Sequence, residues 1–119
     1  MPNWCENEWE ILADDEEQAE EIAELLKAGP ENAGDGVTFE KLIPLPEQGW
    51  EYDWAVRTWG TKWDASDGII EVLGETVMIS FYSAWGPPEG VANELRERYP
   101  DVSMSMFYRE PGMQFAGYL

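Results

Sequence analysis

A two-layer α+β sandwich, a mainly antiparallel sheet with two helices on one face, is the fold this sequence predicts. Three observations predict it. Apolar and polar residues alternate with a period of two in several segments spread along the chain. Two other segments repeat their apolar residues at three- and four-residue spacing, as helices do. Those two segments lie far apart in sequence, so both must be accommodated over one sheet.

The elements follow in order. Glu6, Glu8 and Glu10 alternate with Asn7, Trp9 and Ile11, the pattern of a half-buried strand. Asp14 and Asp15 supply a cap and a charge matched to the helix dipole. The helix they open sets Ala19, Ile22, Leu25 and Leu26 on one stripe and stops at Gly29-Pro30. Gly34-Asp35-Gly36 turns the chain into an expected second strand over Val37 to Ile43. Pro44-Leu45-Pro46 breaks it, and an insert of about residues 44–68 reads as a Trp-rich loop with a short helical turn. Ile69 to Leu73 and Thr76 to Ser83 read as strands on either side of Gly74. After Pro87-Pro88, Val91, Leu95 and Tyr99 recur at fourfold spacing in a second helix. Val102, Met104, Met106 and Tyr108 mark a further strand. Glu110-Pro111-Gly112 has the order of a type II turn, and Met113 to Leu119 closes the hairpin. The order is that of a ferredoxin-like split βαβ arrangement with extra strands, one domain over residues 1–119. One sheet face is expected to stay open.

Composition narrows the function. The chain has 119 residues, 7 Lys and Arg against 25 Asp and Glu, a net charge of −18, no His and one Cys. A Ser-His-Asp or Cys-His unit, a His-ligated metal and an internal disulfide are thereby excluded. A basic grip on nucleic acid is excluded as well, because phosphate neutralisation needs many cations. Charge-driven disorder goes with few aromatics, and this chain has 7 Trp, 5 Tyr and 4 Phe. No apolar run approaches the ~20 residues of a membrane span. Met1-Pro2-Asn3-Trp4 carries no signal-like region, so a cytoplasmic protein is expected.

Four stretches carry a resemblance. They are Met1-Pro2-Asn3-Trp4-Cys5 with Asn7, Trp59-Gly60-Thr61-Lys62-Trp63, Ser83-Ala84-Trp85-Gly86-Pro87-Pro88, and Glu110-Pro111-Gly112 with Phe115-Ala116-Gly117. Together they resemble the phage- and plasmid-borne YubB-like family, whose shared region is described as a ferredoxin-like domain. The resemblance implies a fold and a mobile-element context, with no activity or catalytic residue to carry over.

Two features bear on function. The first is acidic: Glu6, Glu8 and Glu10 share one strand face at ~6.7 Å intervals, close to the ~6.8 Å between alternate phosphates along one DNA strand. The next segment adds Asp14, Asp15, Glu16, Glu17, Glu20, Glu21 and Glu24, with only Lys27 following. A solvated helix face explains a single charge run, but a small domain needs a net charge of only about 2–8 for solubility. The second is aromatic: Trp50, Trp54, Trp59, Trp63 and Trp85 fall near Arg57, Lys62 and Arg109. Such a set forms a stacking pocket, or else it closes the core beneath the insert with cations lying across indole faces. Cys5 is read as structural, since neighbouring carboxylates suppress its thiolate. The carboxylates lack the spacing of a calcium loop, and no nucleophile–base set is visible.

The expected function is therefore binding, not catalysis, with no cofactor and no metal. A phage- or plasmid-encoded acidic protein would inhibit a host defence nucleoprotein complex, a CRISPR effector or a restriction enzyme, by nucleic-acid mimicry. Its partner would own a cationic nucleic-acid groove, and the protein itself would bind neither nucleic acid nor membrane. The alternative is an accessory module that takes a small ligand or peptide in a Trp-lined pocket. A third possibility is self-pairing through the open sheet face.

Overall fold

A computed structural model describes residues 3–119. Met1 and Pro2, which open the first of the four stretches, lie outside the described residues. The elements are β1 (Trp4–Leu12), α1 (Glu16–Leu26), α2 (Tyr52–Thr58), β2 (Ser66–Leu73), β3 (Thr76–Ala84), α3 (Glu89–Arg98), β4 (Ser103–Glu110) and β5 (Phe115–Tyr118). The five strands form one sheet in the order β2-β3-β1-β4-β5, every pairing antiparallel. The first four strands have the expected ferredoxin-like order, and β5 extends the sheet as a hairpin beyond β4.

The parity of β1 decides which surface is which. Cys5, Asn7, Trp9 and Ile11 are buried, whereas Glu8, Glu10 and Leu12 are exposed. Val77, Ile79 and Phe81 of β3 and Met106 of β4 join the buried side, where the helices lie. Asp15 caps α1 by accepting from the Gln18 amide at 2.8 Å. Ala19, Ile22, Ala23 and Leu26 then enter the same core as Trp9 and Ile11. Val91, Ala92 and Leu95 of α3 complete it. Among the described residues, no helix is long and apolar enough to cross a membrane.

The region expected as a strand over Val37 to Ile43 is not one. Val37 makes only an isolated bridge to Lys27, and the chain then turns, with the Ile43 amide donating to the Phe39 carbonyl at 2.9 Å. The segment is nonetheless interior, since Val37, Thr38, Phe39 and Leu42 are all buried, but its burial does not alternate as a strand's would. The chain meets the β2 edge at Asp35, whose carbonyl accepts from the Gly68 amide at 2.7 Å, and the segment itself adds no strand to the sheet. Its polar groups are met by Asp64 instead, whose carboxylate accepts from the Phe39 amide at 2.7 Å and the Thr38 hydroxyl at 2.7 Å. The hairpin turn differs too: Gly112 has no positive φ, and the left-handed residue is Gln114 at φ 58°. The turn is therefore not type II.

Inside the insert, α2 ends against the start of α3. A Cβ on Gly90 would sit 1.8 Å from the Thr58 carbonyl oxygen, and the Gly90 amide donates to the Trp59 carbonyl at 3.0 Å. Two backbones meet there with no space for a methyl group. Gly90→Ala is expected to destabilise the fold by about 2–3 kcal/mol, as overpacking against rigid backbone does. Chemical denaturation measures this, and an unchanged midpoint would contradict the close approach.

Candidate functional site

The ten acidic residues singled out from the sequence divide between two surfaces. Glu6, Glu8 and Glu10 lie on the open sheet face, while Asp14, Asp15, Glu16, Glu17, Glu20, Glu21 and Glu24 lie on or just before α1 in the other layer. The reason is the parity of β1. Trp9 and Ile11 point to the helices, so the glutamates between them must point away.

On the open face the strand trio is diluted. Glu6 pairs with Arg109 across the β1–β4 ladder at 2.8 Å. Glu8 faces Ser80 and Phe107, and Glu10 faces Met78 and Ser105. Ile69, Tyr82 and Tyr118 share this surface, so it is a mixed apolar and acidic sheet.

On α1 the charge is denser. Glu16, Glu17, Glu20, Glu21 and Glu24 are all exposed. Of the ion pairs among the described residues, only Lys41 with Glu24, at 4.0 Å, touches this helix. From Glu16 to Glu24 the helix axis runs about 12 Å at 1.5 Å per residue, one carboxylate per about 3 Å. Duplex DNA carries one charge per about 1.7 Å of its axis. The buried stripe fixes α1, so this ridge is held in place by packing.

The aromatic residues sort into core and surface. Trp59 is buried, its indole N–H donates to the Ile43 carbonyl at 3.1 Å, and Phe39 and Trp54 pack edge-on against it. Trp50 and Trp63 are exposed in part, and together with Trp59 they line a cavity of about 450 Å³. Leu45, Ala33 and Ala65 add apolar wall, and Asp35, Glu40 and Asp64 add carboxylates. The expected cations are elsewhere. Arg57 is exposed on α2, Arg109 is held by Glu6, and Lys62 sits with its Nζ 4.2 Å above the Trp63 ring and 6.0 Å from Trp85. Sequence reasoning missed all three cavity carboxylates. They come from separate segments and no local spacing connects them.

Asp64 also accepts from the Ala65 amide at 2.8 Å. Its burial raises the carboxyl above its ordinary pKa, an effect these three hydrogen bonds partly offset.

The stretches that carry the resemblance converge at one end of the sheet. The Trp85 amide donates to the Asn3 carbonyl at 2.8 Å, Asn7 Nδ2 to Ser83 Oγ at 2.9 Å, and Thr61 Oγ1 to the Ala84 carbonyl at 2.8 Å. The Met113 amide donates to Glu110 Oε2. Trp4 packs beside Trp63 with ring centroids 6.0 Å apart.

Cys5 lies within this end, fully buried, and burial pushes its thiol up to about 11, with the charge of Glu110 a smaller cause. A thiol reagent at pH 8 is expected to leave it unmodified in the native protein and to label it completely once unfolded. Stoichiometric native labelling would contradict its burial. The native state also holds the thiol proton more tightly than the unfolded chain, so stability should fall as pH rises from 9.0 to about 11.

Among the described residues, no group of three or more potential ligands could hold a metal ion. A family model described as "Ferredoxin-like domain in Api92-like protein" matches residues 58–119. Neither the curated proteins nor the solved structures contain a match.

Proposed function

The chain belongs to the family of ferredoxin-like domains in Api92-like proteins, and from that premise we propose that it is a phage- or plasmid-encoded acidic binding protein. Its target is a host defence nucleoprotein complex, a CRISPR effector or a restriction enzyme, and it acts by nucleic-acid mimicry. One observation carries the reading: the outer side of α1 is a packed, exposed ridge of five glutamates whose linear charge density is a little over about half that of a duplex. Such a ridge can replace phosphates in a groove lined by Lys and Arg and exclude the target strand.

The two acidic surfaces do not serve this reading equally. The strand trio that suggested phosphate spacing lies on the opposite surface and loses Glu6 to Arg109. Mimicry therefore falls to Asp14, Asp15 and the α1 glutamates. Two of them, Glu16 and Glu17, sit in the first helical turn, where the dipole favours negative charge. The ridge thus costs the helix little at that end.

The test is competition. The protein is added to defence complexes already holding labelled duplex DNA, at several salt concentrations. Displacement that weakens steeply as salt rises is expected, together with no binding of the protein to DNA on its own. If the DNA stays bound at low salt in every complex with a cationic groove, mimicry is wrong.

A further inference from the structure

We propose that the tryptophan-walled cavity is a binding site for a guanidinium group, presented as an arginine side chain of a partner protein. Its volume of about 450 Å³ falls in the range of ligand sites, and its walls are apolar and aromatic. Among the described residues, Asp35, Glu40 and Asp64 are the charged ones that line it. An apolar cavity with carboxylates and no cation among its described lining residues is complementary to a positive group on an apolar stem.

The walls are set before any ligand arrives. The Trp50 indole N–H donates to the Lys62 carbonyl at 2.7 Å, which fixes the ring. Glu40 accepts from the Ala33 amide at 2.9 Å and from Asn32 Nδ2 at 3.3 Å. Little ordering is left to oppose binding. Trp63 already carries a cation, since Lys62 Nζ stands 4.2 Å from its ring centroid while Lys62 does not line the cavity. Guanidinium is favoured over ammonium because its plane stacks on an indole face while its edge donates in a fork to a carboxylate. Sugars and nucleotides lack the positive charge that these carboxylates complement. The proposal does not depend on the α1 ridge and stands or falls separately from it.

Calorimetric titration with N-acetyl-arginine amide tests it, beside the neutral citrulline counterpart and the lysine amide. Binding of the arginine probe is expected, at least about tenfold tighter than the citrulline probe, with lysine between them. An Asp35→Asn, Glu40→Gln variant should weaken arginine binding by about tenfold or more and leave citrulline unchanged. The Trp50 indole N–H resonance should shift with arginine in the unmodified protein, which reads the site without any substitution. Equal binding of arginine and citrulline, or no arginine binding at millimolar concentration, overturns the proposal.

Discussion

Reversing Glu16, Glu17, Glu20 and Glu21 to Lys is expected to weaken DNA displacement by more than about a hundredfold, because like charges would then meet in the partner's groove. All four side chains are exposed and none makes an ion pair among the described residues, so the fold should survive. Lys and Glu have similar helix propensities, and Lys at position 20 would gain Glu24 as a partner one turn on. The cost is confined to the first turn, where Lys opposes the dipole by a few tenths of a kcal/mol, a figure on the order of the effect itself at exposed sites. The matching control reverses Glu8, Glu10, Glu71 and Glu75, exposed residues of the open sheet face and its β2–β3 turn. It changes the net charge equally and should displace DNA nearly as well as the parent. Equal loss in both variants would mean that net charge acts without a ridge.

Asp64→Ala is expected to destabilise the protein by about 3 kcal/mol or more. The substitution strands two buried amides and a hydroxyl, at about 1–3 kcal/mol for each buried group left without a partner. Those groups belong to Phe39, Ala65 and Thr38, so the loss uncouples the Val37–Leu42 region from the start of β2. Val37, Phe39 and Leu42 are core residues, and Phe39 packs against both Trp59 and Phe81. Denaturant unfolding reads the effect, and a change under about 1 kcal/mol would contradict it. The pH dependence has a fixed sign. Because the Asp64 carboxyl is raised in the native state, that state binds its proton more tightly than the unfolded chain does. Stability therefore falls as pH rises through the interval between the two pKa values, and Asp64→Asn, which cannot ionise, should lose that fall.

Much of the architecture was legible because it is written in local patterns. The alternation of Trp9 and Ile11 with Glu8 and Glu10 identifies β1 and also its buried face. The fourfold spacing of Val91 and Leu95 identifies α3 in the same way. The Val37–Ile43 region shows the limit of such patterns. Its apolar residues report burial, which is correct, but pairing depends on what meets the backbone groups, and Asp64 from far along the chain takes the Phe39 amide. The division of the acidic residues was within reach of the sequence. Trp9 and Ile11 must face the stripe of Ala19 and Ile22, so the glutamates between them cannot share a surface with α1. Grouping by charge alone obscured this. The cavity was half legible: the tryptophans announce themselves, whereas Asp35, Glu40 and Asp64 meet only through the fold.

Backbone hydrogen exchange on the protein bound to a complex whose DNA it displaces tests most directly where the proposed recognition resides. Protection should concentrate on Asp14 through Glu24, with β2, β3 and β4 exchanging as in the free protein. Protection confined to the sheet, with α1 unchanged, would show that the helix is only a charged coat and that the partner reads another surface.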